Sequence, residues 1–203
     1  MNFALQYAPM TGKKILIING HPDALSYNRA LADAYASGAQ QAGADVQIIH
    51  IGQLQFDTNL QYGYRQRTEL EPDLLHAQQQ ILHAQHIVWI HPLWWGSYPA
   101  IMKGFIDRVF LPGFAFKKRE NSLWWDKLLK GKTATIICTM DQPAWYYRLI
   151  NSGAGIKALK KQTLEFCGIK PVKTICIGPI RLSKDSYRQR WLGRIEKLGR
   201  EQG

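Results

Sequence analysis

The apolar residues of this chain fall in short continuous runs separated by stretches of helical period. Lys14-Ile15-Leu16-Ile17-Ile18-Asn19-Gly20 is the first run, and its lack of polar alternation predicts a strand covered on both faces. The alanine-rich segment from Ser26 to Ala42 follows, with Ser26 placed as an N-cap and Gly43 placed to end it, so a helix is predicted there. A second strand, Asp45 to Ile51, leads into an excursion from Gly52 to Glu71 that has no clear period. Pro72 opens a helix running to about Gln85 with Leu74, Leu75, Ile81 and Leu82 as its apolar face. The third strand is His86 to His91. After a turn, Ile101, Met102, Phe105, Ile106, Val109 and Phe110 mark one face of another helix. A second excursion, Leu111 to Gly131, precedes a fourth strand from Lys132 to Thr139. A loop from Met140 to Gly155 then leads to a helix over about Ile156 to Cys167, ended by Gly168. Lys173 to Gly178 is the fifth strand, and a basic helix from Ser183 to Leu198 closes the chain.

Strands that alternate with helices imply an α/β architecture: a parallel sheet with helices on both faces, three layers in all. Right-handed crossovers restrict it to the doubly wound sheets, among which 2-1-3-4-5 is one common order and the one expected here. Such sheets bind ligands beyond the carboxyl ends of their strands, where the strand order reverses. The segments to examine are therefore Asn19 to Asn28, His91 to Tyr98 and Thr139 to Tyr147. No linker or repeat divides the chain, so residues 13–203 are expected to form one domain behind an extension of residues 1–12.

Composition narrows the partners. Lys plus Arg number 26 against 15 Asp plus Glu, a net charge of +11 and a pI near 9.7, which favours anionic partners such as phosphorylated cofactors. Nucleic-acid binding would rest on that charge alone and is not expected. Cys138, Cys167 and Cys176 form no Cys-x-x-Cys pair, so neither a zinc site nor a disulfide framework is indicated. His76, His83 and His86 lie on or just after a Gln-rich helix with no neighbouring carboxylate set. They read as solvated surface, and no metal site is expected. No apolar stretch reaches the roughly 18 residues of a membrane span, and the N-terminal dozen does not read as a signal peptide; a cytoplasmic protein without stable membrane insertion is expected.

The turn after the first strand, Gly20-His21-Pro22-Asp23-Ala24-Leu25-Ser26-Tyr27-Asn28, places imidazole and hydroxyl donors ahead of a helix N-terminus, a natural anion site. Alone it could equally be a capped turn. The turn after the third strand, Pro92-Leu93-Trp94-Trp95-Gly96-Ser97-Tyr98-Pro99, offers a flat aromatic ledge, or else ordinary core or interface tryptophans. Together with Ala100-Ile101-Met102-Lys103-Gly104-Phe105-Ile106-Asp107-Arg108-Val109-Phe110, the two turns resemble the NAD(P)H:quinone oxidoreductase family of flavodoxin-like flavoproteins over Lys14 to about Gly178.

That resemblance implies a bound FAD or FMN, with NAD(P)H as co-substrate and a quinone or similar acceptor. His21, Ser26, Tyr27 and Asn28 would hold its phosphate end. Pro92, Leu93, Trp94, Trp95 and Gly96 would lie along its ring system, and Thr139, Met140 and Asp141 would close the site. Family members often carry a Thr-Thr-Gly-Gly turn after strand four. Here the run is Thr139-Met140-Asp141-Gln142, with Tyr146 near where the family places a tyrosine and Ser152 near where it places a histidine. If that histidine assists proton transfer in the family, Tyr146, Tyr147, water or a group on a partner subunit takes its place here, and the two tyrosines are the candidates in this chain. The aromatic load of Trp124, Trp125, Trp145, Tyr146 and Tyr147 leads us to expect a homodimer with interface sites. Lys117, Lys118 and Arg119 are candidates for the phosphates of NAD(P)H. The alternative reading is a non-enzymatic flavin-binding regulatory subunit of a partner such as a transport system.

Overall fold

A computed structural model of the protein describes residues 12–203. The extension expected over residues 1–12 lies, Gly12 apart, outside them. The chain alternates as read: β1 (Lys14–Asn19), α1 (Tyr27–Gln41), β2 (Asp45–His50), α2 (Pro72–His83), β3 (His86–Pro92) and α3 (Ala100–Val109). The second excursion contains two short strands, β4 (Phe116–Lys118) and β5 (Trp125–Lys127), paired antiparallel as a separate ribbon. Then come β6 (Thr133–Thr139), α4 (Ala144–Leu149), α5 (Ala154–Lys157), a π-helical stretch Ala158–Leu164, α6 (Glu165–Cys167), β7 (Val172–Ile177) and α7 (Asp185–Gln202). The main sheet is parallel, in the order β2-β1-β3-β6-β7. This is the expected 2-1-3-4-5 once the ribbon's two strands are left out of the count.

The sheet's pleat divides the core. Leu16, Ile18, Ile87, Trp89, Ile136 and Cys138 face α2, α3 and the helical run 154–167. Ile15, Ile17, Val88, Ile90, Ile137 and Ile177 face α1 and α7. Those two helices approach closely because both contribute glycines: a Cβ on Gly38 would strike the carbonyl of Glu196, and one on Gly199 that of Tyr35. Ser26 caps α1 as read, its Oγ accepting the Arg29 N–H at 3.3 Å, and Gly43 ends the turn beyond it with φ +88°. On α2 the expected apolar face needs correction. Leu74, Ala77 and Ile81 are buried, at spacings of three and four, whereas Leu75 and Leu82 are exposed. No helix of the described residues is long and apolar enough to cross a membrane.

His86 is not the solvated residue its neighbours suggest. It is 2% exposed, with Nδ1 2.6 Å from Thr133 Oγ1 and Nε2 3.2 Å from Thr135 Oγ1 across the β3–β6 pair. Burial lowers its pKa to about 4. The two threonines satisfy both ring nitrogens, which a helix-periodicity argument could not reveal because His86 is already strand.

Candidate functional site

Three turns meet at the carboxyl end of the sheet. The first is locked by its own side chains: Asn19 Oδ1 accepts the His21 N–H at 3.1 Å, His21 Nδ1 accepts the Asp23 N–H at 3.0 Å, and Asp23 Oδ1 accepts the Leu25 N–H at 2.9 Å. Because Nδ1 accepts, the neutral imidazole carries its proton on Nε2 and retains a donor to offer. Burial lowers the His21 pKa, so that tautomer prevails at neutral pH. The His21 ring stands edge-on to Trp94 at 5.3 Å, joining the first turn to the second. Asn28 is buried at the head of α1, and its Oδ1 accepts from Thr139 Oγ1 at 3.0 Å, joining the first turn to the third.

The second turn is a two-residue hairpin. Trp94 and Ser97 exchange both backbone bonds, at 2.8 and 2.9 Å, around Trp95 (φ +50°) and Gly96 (φ +78°). Two successive positive φ values define a type I′ turn, in which glycine sits easily and tryptophan does not; left-handed backbone costs a bulky residue about 1–2 kcal/mol. The strained tryptophan is fully exposed, at 105% of its reference area. The amides of Trp95 and Gly96 donate to no protein acceptor among the described residues.

The third turn is tied to the β7–α7 connection: Met140 N–H donates to Ile177 O at 2.9 Å, Ile180 N–H to Met140 O at 3.0 Å, and Arg181 N–H to Asp141 Oδ1 at 3.0 Å. Between the second and third turns lies an open depression of about 500 Å³ lined by Leu93, Trp95, Gly96, Met140, Asp141, Gln142 and Asn151.

The expected site residues are therefore largely brought together, with two corrections. Tyr27 turns away from the turn it follows: its hydroxyl donates to Arg188 O on α7 at 2.8 Å, and burial raises its pKa to about 12, so only its backbone faces the anion end. Tyr147 is 1% exposed, with its hydroxyl accepting the Ile156 N–H at 3.1 Å, and does not line this depression. Tyr146 stands edge-on to Trp145 and is 39% exposed. Pro92 and Thr139 are buried supports rather than walls. Among the described residues no group of His, Cys, Asp or Glu could hold a metal ion.

One residue that the sequence reading passed over lies beneath the second turn. His91 is fully buried, its Nδ1–H donating to Pro92 O at 3.0 Å while Nε2 has no partner among the described residues. Burial holds its pKa at about 4. With His86 this makes a stability prediction. Both histidines are neutral in the folded state below the ordinary value of 6.5, so the unfolded chain takes up their protons first as pH falls. Their contribution is complete above pH 6.5 and is lost between pH 6.5 and 4, up to about 3.5 kcal/mol each at 1.4 kcal/mol per unit. Urea midpoints at pH 7.5 and 5.0 read this directly; equal midpoints would contradict it.

The residues fit a flat redox ring with a phosphate tail. The depression has Trp95 at its wall and free backbone donors at its edge, and the capped N-terminus of α1 with the neutral His21 donor is joined to the same turns through Trp94 and Thr139. Comparison with known proteins agrees with the fold. A family profile described as flavodoxin-like fold matches residues 13–198, and the chain belongs to that family. An uncharacterized NAD(P)H oxidoreductase of Haemophilus influenzae is 29% identical over 179 residues, covering 86% of this chain and 88% of the relative. The human ribosyldihydronicotinamide dehydrogenase [quinone] is 28% identical over 225 residues, covering 95% of each. A crystal structure from Streptococcus mutans UA159 superposes with a TM-score of 0.79 at 29% identity, over 92% of this chain and 98% of that one.

Proposed function

We propose that this protein is a flavin-dependent NAD(P)H oxidoreductase that passes two electrons from NAD(P)H to a quinone or similar acceptor. The observation that carries the reading is the strained, fully exposed Trp95 at the wall of the depression, a conformation that costs folding energy and is of the kind that gathers at ligand sites. The relatives support it by name: some are called NAD(P)H oxidoreductases or dehydrogenases, others ribosyldihydronicotinamide dehydrogenases. The bound FAD or FMN would supply the two-electron chemistry.

The chain's own residues bind and orient. His21 Nε2–H and the first amides of α1 hold the phosphate end, with Ser26 fixing the cap and Asn28 tying that end to Thr139. Leu93 and Trp95 form the wall along the ring, Trp94 beside them meets His21, and the free amides of Trp95 and Gly96 serve its polar edge. Met140 and Asp141 close the opposite side. Tyr146, partly exposed, is the proton donor to the acceptor, in place of Tyr147, whose hydroxyl is bonded to the Ile156 N–H. Trp145, Leu149 and Ile150 are exposed on and just beyond α4, and we assign them to a homodimer contact that covers the site.

The test begins with the purified protein: denaturation should release one yellow cofactor, identified by mass, and NADPH oxidation should depend on added quinone. Colourless protein that gains no flavin on incubation with FAD or FMN would sink the reading. Equilibrium sedimentation is expected to give a dimer; an active monomer would remove the interface assignment.

A further inference from the structure

A second depression, of about 310 Å³, lies behind the loop that bounds the first: Asn151 lines one and its neighbour Ser152 the other. Its floor includes Cys176 of β7. Four cations line it, Arg148 from α4, Lys157 from the end of α5, and Lys160 and Lys161 from the π-helical stretch, and no acidic side chain does. Lys160 reaches Glu165 only at 3.9 Å, while Arg148, Lys157 and Lys161 have no acidic partner among the described residues. Uncompensated like charges around one hollow repel one another, an arrangement made favourable by an anion placed between them. The helix is also irregular at this point. Seven residues, Ala158–Leu164, adopt the rare π form, which recurs at functional sites because a widened turn redirects side chains. The other basic run considered for phosphates is less free, since Arg119 is paired with Asp126 at 2.7 Å across the β4–β5 ribbon.

We propose that this depression takes the phosphate-bearing part of the dinucleotide reductant while its dihydronicotinamide reaches into the first depression. The inference rests on the function proposed above and extends it to reductant choice: the chain prefers a phosphorylated dinucleotide to a phosphate-free dihydronicotinamide.

The test joins Lys157→Glu with Lys161→Glu. NADP⁺ is titrated calorimetrically into the flavin-loaded protein, and kcat/KM is measured with NADPH and with N-ribosyl-dihydronicotinamide, which has no phosphate. The Kd for NADP⁺ is expected to rise at least tenfold, and the ratio of kcat/KM for NADPH to that for the phosphate-free reductant to fall at least tenfold. If the charge-reversed protein does not fold, Lys157→Gln with Lys161→Gln should move both quantities about threefold in the same directions. A Kd and a ratio within a factor of 1.5 of the unsubstituted protein overturn the proposal. So does inorganic pyrophosphate binding that the substitutions weaken while NADP⁺ binding stays put, since that marks a site for free phosphate. Failure of the unsubstituted protein to oxidise either reductant removes the proposed function instead, and the NADP⁺ titration still reads the site.

Discussion

Replacing Arg108 with leucine is expected to cost about 3 kcal/mol or more of unfolding free energy, about 6–12 °C in Tm for a chain of this size. Arg108 projects from α3, is 1% exposed, and ends the first excursion's freedom: Nη2 donates to Glu69 O and to Glu71 Oε2 at 2.8 Å each, and Nη1 to Asp57 O and Glu71 Oε1. Desolvation works against the Glu71 carboxylate, yet the Asp57 N–H and the guanidinium together hold its pKa below the ordinary range. Leucine fills part of the volume but leaves two backbone carbonyls and a carboxylate facing the hole. The penalty is that of unsatisfied groups rather than of a lost surface pair. Because the carbonyls bracket residues 57–69, the variant should also release the 430 Å³ hollow that Leu60, Arg67 and Thr68 share with Pro112 and Phe114. Faster amide exchange across residues 57–71 would accompany the fall in Tm. A Tm within 2 °C of the original would show that the loop holds without its anchor.

The sheet was legible in the chain because buried parallel strands write themselves as unbroken apolar runs, and Gly43 and Gly168 end their helical segments with φ of +88° and +103°. Even the segments of the site could be chosen in advance, since strand order alone decides where a doubly wound sheet leaves its crevice. What stayed hidden was side-chain direction. Nothing in Ser26-Tyr27-Asn28 distinguishes a tyrosine facing a phosphate from one bonded to a helix 161 residues away, and adjacent Tyr146 and Tyr147 differ only by the face of a six-residue helix. The π-helical stretch has no composition of its own, so the meeting of Arg148 with three lysines is a fact of packing. The type I′ turn was missed for a physical reason too: its usual Asn-Gly or Asp-Gly signal is absent, and Trp95 is forced into a conformation its side chain disfavours.

That turn is held in place by a glycine that the sequence showed only as the end of a loop. Gly155, in α5, is buried with its Cα against the carbonyl of Gly96, and an added Cβ would overlap that oxygen and crowd Ser97 Cα at 3.0 Å. Its backbone is helical, so in open space Gly155→Ala would stabilise the protein by up to about 1 kcal/mol through helix propensity. Here the sign reverses. The methyl must push the Trp95–Gly96 tip and α5 apart by on the order of 1 Å, at an overpacking cost of about 1–3 kcal/mol. The larger effect falls on function, because the same tip carries the exposed tryptophan and the two free amides of the depression. Misplacing positioning groups by about 1 Å costs on the order of 100-fold in rate. Gly155→Ala is therefore expected to lose most of its flavin on gel filtration and, when resupplied, to run with kcat/KM down about 100-fold while its circular dichroism stays native. Gly193→Ala, whose added methyl meets nothing within 4 Å, is the matched control for helix propensity alone and should gain stability slightly. Full flavin retention and an undiminished rate in Gly155→Ala would mean that the contact between α5 and the tryptophan turn does not set the width of the site.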